Sequence, residues 1–158
     1  MKRINHFVWL VNAESVAGYI EQLEGLLDTK FEVTSDESAD AYVNWDSRLE
    51  LIAPAANSSQ GAAFLRSILK ERGEGPFALA IRVPDLDAAA DHARTVGFPV
   101  GVEFTPADPA ERLAAIRSFT EKVDDIREIP IGTFLGLNLI LCQVAYAEER
   151  DEVAAAGV

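Results

Sequence analysis

The sequence predicts an α+β fold built from two βαβββ modules, and two observations carry that reading. The chain says one thing twice: RINHFVWLV followed by ESVAGYIEQLEGLLD in residues 3–28, and PFALAIRV followed by PDLDAAADHARTVG in residues 76–97. Each copy switches from a run rich in β-branched and aromatic residues to an apolar spacing of three and four, the change from strand to helix. A repeat at about half the chain length implies two similar supersecondary units packed together.

Taken in order, Ile4–Val11 reads as a buried strand. Ser15 precedes an apolar series at Val16, Tyr19, Ile20, Leu23, Leu26 and Leu27, one face of a helix. Phe31–Thr34, Ala41–Asp46 and Arg48–Ala53 are short strands, and Pro54 ends the last of them. Asn57–Gly61 is a polar loop. A connecting helix follows over Ala62–Arg72, with Phe64, Leu65, Ile68 and Leu69 on its apolar face, and Gly73 and Gly75 close it.

The second copy starts with a strand at Phe77–Val83. Asp85 or Asp87 caps a helix with apolar positions Leu86, Ala89, Ala90, Ala93 and Val96, which match Val16, Tyr19, Ile20, Leu23 and Leu26 at a constant offset of 70. Gly97 stands where a C-cap is expected, and Pro99–Thr105 reads as a strand. Asp108-Pro109-Ala110-Glu111 combines a cap, a first-turn proline and a capping-box glutamate, and predicts a helix to about Val123 with Leu113, Ile116, Phe119 and Val123 on its apolar face. Ile126–Phe134 and Leu137–Tyr146 finish as strands. The expected organisation is a single domain over 1–158: a first module over 3–54, a linker helix over 55–75, a second module over 76–147 with a helical insertion at 108–123, and a flexible tail over 148–158.

The 158 residues are 49% hydrophobic and 25% charged, as in a folded globular chain with a real core. A net charge of -12 argues against nucleic-acid binding, which needs clustered Lys and Arg, and against an anionic membrane surface. Cys142 is the single cysteine, so there is no intramolecular disulfide and no thiolate metal cluster. No apolar run reaches spanning length, and the start lacks a cleavage site, so the expected compartment is the cytoplasm.

Four phrases in order, RINHFVWLV, RLELIAPA, GPFALAIRVPDLDAAADHARTVGFPV and GLNLILCQ, resemble the vicinal oxygen chelate superfamily, which includes glyoxalases, methylmalonyl-CoA epimerases, extradiol dioxygenases and bleomycin-binding proteins. The resemblance covers nearly the whole chain except the insertion and the tail. It implies a cupped, barrel-like mixed sheet around a central cleft. It also implies a divalent metal held by the first and fourth strands of each module, at positions that here carry His6, Glu50, Ala78 and Ile140. Alanine and isoleucine cannot bind a metal, and a catalytic site usually needs three protein ligands. No metal cofactor is therefore expected. A metal site, if formed, uses His6 and Glu50 with Asn138, Glu103 or water recruited.

Strand alternation then places Ile4, Val8 and Leu10 with His6, Arg48 and Ile52 with Glu50, Ala80 and Arg82 with Ala78, and Asn138 and Cys142 with Ile140. The candidate pocket has His6 and Glu50 as the catalytic acid–base pair. Arg48, Arg82, Asn138, Trp45 and Cys142 are the substrate-binding groups, and Ala78 and Ala80 would leave room for a ligand. Each has a plainer alternative: a core histidine for His6, an ion pair for Glu50, a sheet-edge contact for Arg82, a small buried hydrophobe for Cys142. His92 belongs to the surface or rim, and Trp9 to the core.

The expected function is a metal-independent isomerase, epimerase or lyase acting on a small oxygenated metabolite by His/Glu chemistry. One alternative is a non-catalytic, resistance-type protein that binds a drug or metabolite. Another is a divalent-metal enzyme with a reduced ligand set. The expected partners are a small molecule and a second copy in a homodimer.

Overall fold

The structure, a computed structural model, describes residues 3–148; most of the expected tail over 148–158 lies outside them. It is α+β, with β1 (Arg3–Leu10), α1 (Val16–Leu27), β2 (Glu32–Ser35), β3 (Ala39–Asn44), β4 (Leu49–Pro54), α2 (Gln60–Arg72), β5 (Gly75–Arg82), α3 (Leu86–Thr95), α4 (Pro109–Arg117), β6 (Val123–Phe134) and β7 (Leu137–Tyr146). The chain divides into two compact units, His6–Ala78 and residues 79–148 with 3–5. Among the described residues, no helix is long and apolar enough to cross a membrane.

In the His6–Ala78 unit the strand order is β2-β3-β4-β1. β4 pairs with β3 antiparallel and with β1 parallel, so the sheet is mixed. The parallel register sets Phe7, Val8, Trp9 and Leu10 beside Leu49, Glu50, Leu51 and Ile52. Because side chains alternate, the odd-numbered set lies on one face and the even-numbered set on the other. The N-terminal part of α1 covers the odd face: Val16, Ile20 and Leu23 pack with Val11, Leu51 and Ala53. The cover is incomplete. Leu26 is 78% exposed and Trp9 is 41% exposed, although both read as core from the sequence. Phe64 on α2 and Ile4 on β1, also expected to be inward, are exposed as well. α2 is capped by the Ser59 hydroxyl, which accepts from the Ala62 N–H, and it closes at Gly73.

In the other unit the strand order is β5-β7-β6. α3 is capped by Asp85, whose carboxylate accepts from the Ala88 N–H. Leu86, Ala90 and Ala93 of α3 pack on Ile129, Ile131, Leu139 and Leu141. Val96, expected to extend this face, is exposed past the helix end.

Two predicted elements are corrected here. α4 starts as expected, with Asp108 accepting from the Ala110 and Glu111 N–H groups, but it stops at Arg117. Val123 instead opens β6, and Leu113 is largely exposed. Pro99–Thr105 is not a strand. It runs beside β6 through two backbone bonds, from the Gly101 N–H to the Pro130 carbonyl (2.8 Å) and from the Phe104 N–H to the Glu128 carbonyl (2.9 Å). Pro99 and Pro130 have no N–H to offer a ladder. The register of β6 also slips between Pro130 and Thr133, where Gly132 takes φ +84°. A Cβ on Gly132 would lie 2.7 Å from Pro99 Cγ, so the close approach at this bulge needs glycine.

Candidate functional site

The alternation on β1 and β4 brings together the two residues that the sequence singles out. His6 lies two residues before Val8, the neighbour of Glu50, and on the same face. Their side chains meet with His6 Nε2 3.2 Å from Glu50 Oε2. The imidazole is 8% exposed and the carboxylate 18%, so Glu50 is the more open member of the pair. Around them on this face are Val8, Leu10, Val43 and Ile52, all buried. A carboxylate set in such an apolar frame needs a polar partner, and His6 provides one. Placed this way, the pair can hold or move a proton: a neutral imidazole donates its N–H to the carboxylate, and an imidazolium makes an ion pair with it.

The other residues proposed from the sequence have different surroundings. Arg48 is not on β4 beside Glu50. It occupies the tight β3–β4 turn with φ +61°, and its carbonyl accepts from the Phe7 N–H. Trp45 is in the same turn, buried, with its indole N–H donating to Glu32 Oε2 (2.8 Å). In the second unit, the Arg82 guanidinium donates to the Val144 carbonyl (3.0 Å) and lies 5.1 Å from the centre of the Tyr146 ring. Cys142 is fully buried. Asn138 stands half-buried opposite Thr133 in the β6–β7 pair. Ala78 and Ala80, expected to leave room for a ligand, are themselves at most 1% exposed. His92 is exposed on α3, as a rim residue would be.

Among the described residues, His6 and Glu50 bring two donors together, where a catalytic divalent metal usually takes three protein ligands. Among the described residues, no group of three or more His, Cys, Asp and Glu side chains converges. Glu103, a candidate for recruitment, is held elsewhere: Arg127 Nε and Nη2 donate to its two oxygens at 2.9 and 2.8 Å, and Thr105 donates a third bond. These bonds, the arginine's first, hold the Glu103 carboxyl below its usual range.

Sequence reasoning passed over Glu74, the residue just before β5. Its Oε1 accepts from the backbone N–H and side-chain amide of Asn12 (2.8 and 2.9 Å), and its Oε2 accepts from the Tyr19 hydroxyl (2.6 Å). The sequence shows only a glutamate between two glycines at a helix end, which any linker offers.

No family profile matches the chain, and no curated protein matches it by sequence. Solved structures do. Methylmalonyl-CoA epimerase from Mycobacterium tuberculosis superposes with a TM-score of 0.58 at 24% identity, covering 96% of this chain and 91% of that one. A variant of Streptomyces coelicolor methylmalonyl-CoA epimerase, in complex with 2-nitronate-propionyl-CoA, gives 0.62 at 17%, covering 90% and 97%. A variant of 4-hydroxymandelate synthase from Streptomyces coelicolor gives 0.63 at 17%, covering 92% of this chain and 50% of that longer one.

Proposed function

This chain has the vicinal oxygen chelate fold, and we propose that it works as a metal-independent isomerase or epimerase that moves a proton at a carbon next to a carbonyl. The observation that carries the reading is the 3.2 Å pair of His6 and Glu50 on the even-numbered face of β1 and β4. The likeness to epimerase structures supports the choice of reaction class.

In this reading Glu50 is the base, because it is the more open of the two. Its carboxylate takes the proton as the C–H bond breaks, and the electron pair passes into the carbonyl to give an enolate. His6 donates its Nε2–H to Oε2, which fixes the carboxylate and leaves Oε1 to face the substrate. Return of the proton to the face it left gives exchange alone; epimerisation is completed when the enolate turns and Glu50 delivers the proton to its opposite face, which restores the carboxylate. No step passes through a metal, since His6 and Glu50 are one ligand short of the usual catalytic set.

Deuterium wash-in tests the proposal. Chelator-treated protein in D2O is incubated with α-substituted acyl thioesters, methylmalonyl-CoA among them, and exchange at the α-carbon is followed by NMR. Exchange is expected in the absence of metal and falls by roughly 10²–10⁴-fold in Glu50→Gln. Exchange that needs added metal, or that survives both Glu50→Gln and His6→Ala, overturns it.

A further inference from the structure

The odd-numbered face of β1 and β4, opposite the His6–Glu50 pair, carries a second feature. Where α1 stops covering the sheet, a groove of about 510 Å³ opens, walled by Trp9, Leu23, Leu26, Leu49 and Leu51, with Glu74 at its edge. Its volume is that of a small-molecule site, and its lining is mostly apolar. Trp9 and Leu26 are exposed within it. A β-strand indole and a helix leucine that face solvent across a common groove leave apolar surface that a ligand would cover.

Among the described residues, the one charge lining the groove is Glu74. Among the described residues its hydrogen-bond donors are neutral, Asn12 and Tyr19 with the Ser15 hydroxyl beside them, and no Lys, Arg or His pairs with it. Those bonds, the Tyr19 hydroxyl's first, hold its carboxyl below the usual range, so it is an anion at neutral pH. An apolar wall that ends in an uncompensated carboxylate is complementary to an apolar body that ends in a cation. The exposed Trp9 ring adds a surface that attracts cations, and the net charge of -12 draws cations toward the chain.

We propose that this groove binds an organic ammonium ion, with its aromatic or aliphatic body on Trp9, Leu26 and Leu51 and its ammonium on Glu74. The site is separate from the Glu50 chemistry and does not depend on it.

The test is a titration of the full chain with 4-phenylbutylammonium at low salt, read by calorimetry and by tryptophan fluorescence. Trp45 is buried, so a change in emission reports chiefly on Trp9. Saturable binding is expected, about tenfold or more tighter than for 4-phenylbutan-1-ol or 4-phenylbutyrate, and weakening as salt rises. Glu74→Gln, which keeps an acceptor for Asn12, loses about tenfold or more. Leu26→Lys, at an exposed helix position, abolishes binding by supplying its own ammonium, and it decides the matter if the Gln variant fails to fold. Glu50→Gln binds as the parent does, which separates this outcome from that of the exchange assay. Equal affinity for the alcohol, undiminished affinity in both Glu74→Gln and Leu26→Lys, or no saturation up to about 10 mM overturns the proposal.

Discussion

In the unit of residues 79–148 the arginines are tied down. Arg127 grips Asp87 and Glu103 at once, Arg112 grips Asp125 and two carbonyls, and Arg117 grips Asp124. In the His6–Ala78 unit Lys30 ties Glu24 on the surface, but Glu50 meets an imidazole and, among the described residues, Glu74 meets neutral donors only. A carboxylate locked by a bidentate guanidinium has spent its hydrogen-bonding capacity on structure. One held by an imidazole or an amide keeps charge or proton affinity for something else. The two units thus differ in how these carboxylates are held, and each side of the contrast can be broken separately.

The largest expected effect is on chemistry in the first unit. Glu50→Gln should lower α-carbon exchange by roughly 10²–10⁴-fold, while its melting temperature stays close to that of the parent. A loss of fold equal to the loss of exchange would make Glu50 a structural residue like Asp125 and erase the contrast.

Next comes the second unit. Arg112 is 7% exposed, and it donates to Asp125 and to the carbonyls of Pro106 and Ala107, bridging the start of α4 to β6. Arg112→Ala strands those carbonyls and should cost about 3 kcal/mol in denaturant unfolding. Exchange per folded molecule should be unaffected. A cost below roughly 0.5 kcal/mol would place Arg112 among ordinary surface ion pairs.

The Arg127 clamp sharpens the contrast through pH. Its hydrogen bonds hold the carboxyls of Asp87 and Glu103 below their ordinary values. A depressed folded-state pKa gives stability that is present above the unfolded value and lost as pH falls through the folded one. The parent should therefore lose stability as pH falls from about 4.5, and Arg127→Met, already without the clamp, should lose less over that window. Parallel unfolding curves for the two proteins between pH 5 and 3 would show that the clamp contributes nothing to linkage.

The His6–Glu50 pair was legible because strand alternation and parallel register are periodic, and a periodic rule carries over several residues. So were the caps Asp85 and Asp108, which stand at the helix starts that they mark. What could not be read depended on where one element runs out against another. Leu26 has core spacing, yet the sheet beneath α1 leaves it exposed. Arg48 follows strand alternation on paper, but the chain turns at it with positive φ. Pro99–Thr105 has strand composition, but its bonding partner contains Pro130 and a bulge. Glu74 gains its partners only when β1 and α1 are brought to it by the fold.

The smallest expected effect has the opposite sign. β6 and β7 are joined by Leu135-Gly136, with φ +51° and +86°, the left-handed pair of a type I′ hairpin turn. Leucine is a poor residue there, because its Cβ crowds the backbone, and at 91% exposure it gains nothing from burial. Asparagine tolerates that conformation, and Asn-Gly is the favoured pair. Leu135→Asn should raise stability by about 0.5–1 kcal/mol. Added to Arg112→Ala it should return that amount without changing the exchange rate, because the sites share no partner. If Leu135→Asn instead destabilises the protein, the Leu135 side chain is covered by something in solution, and this unit too keeps a surface for a partner.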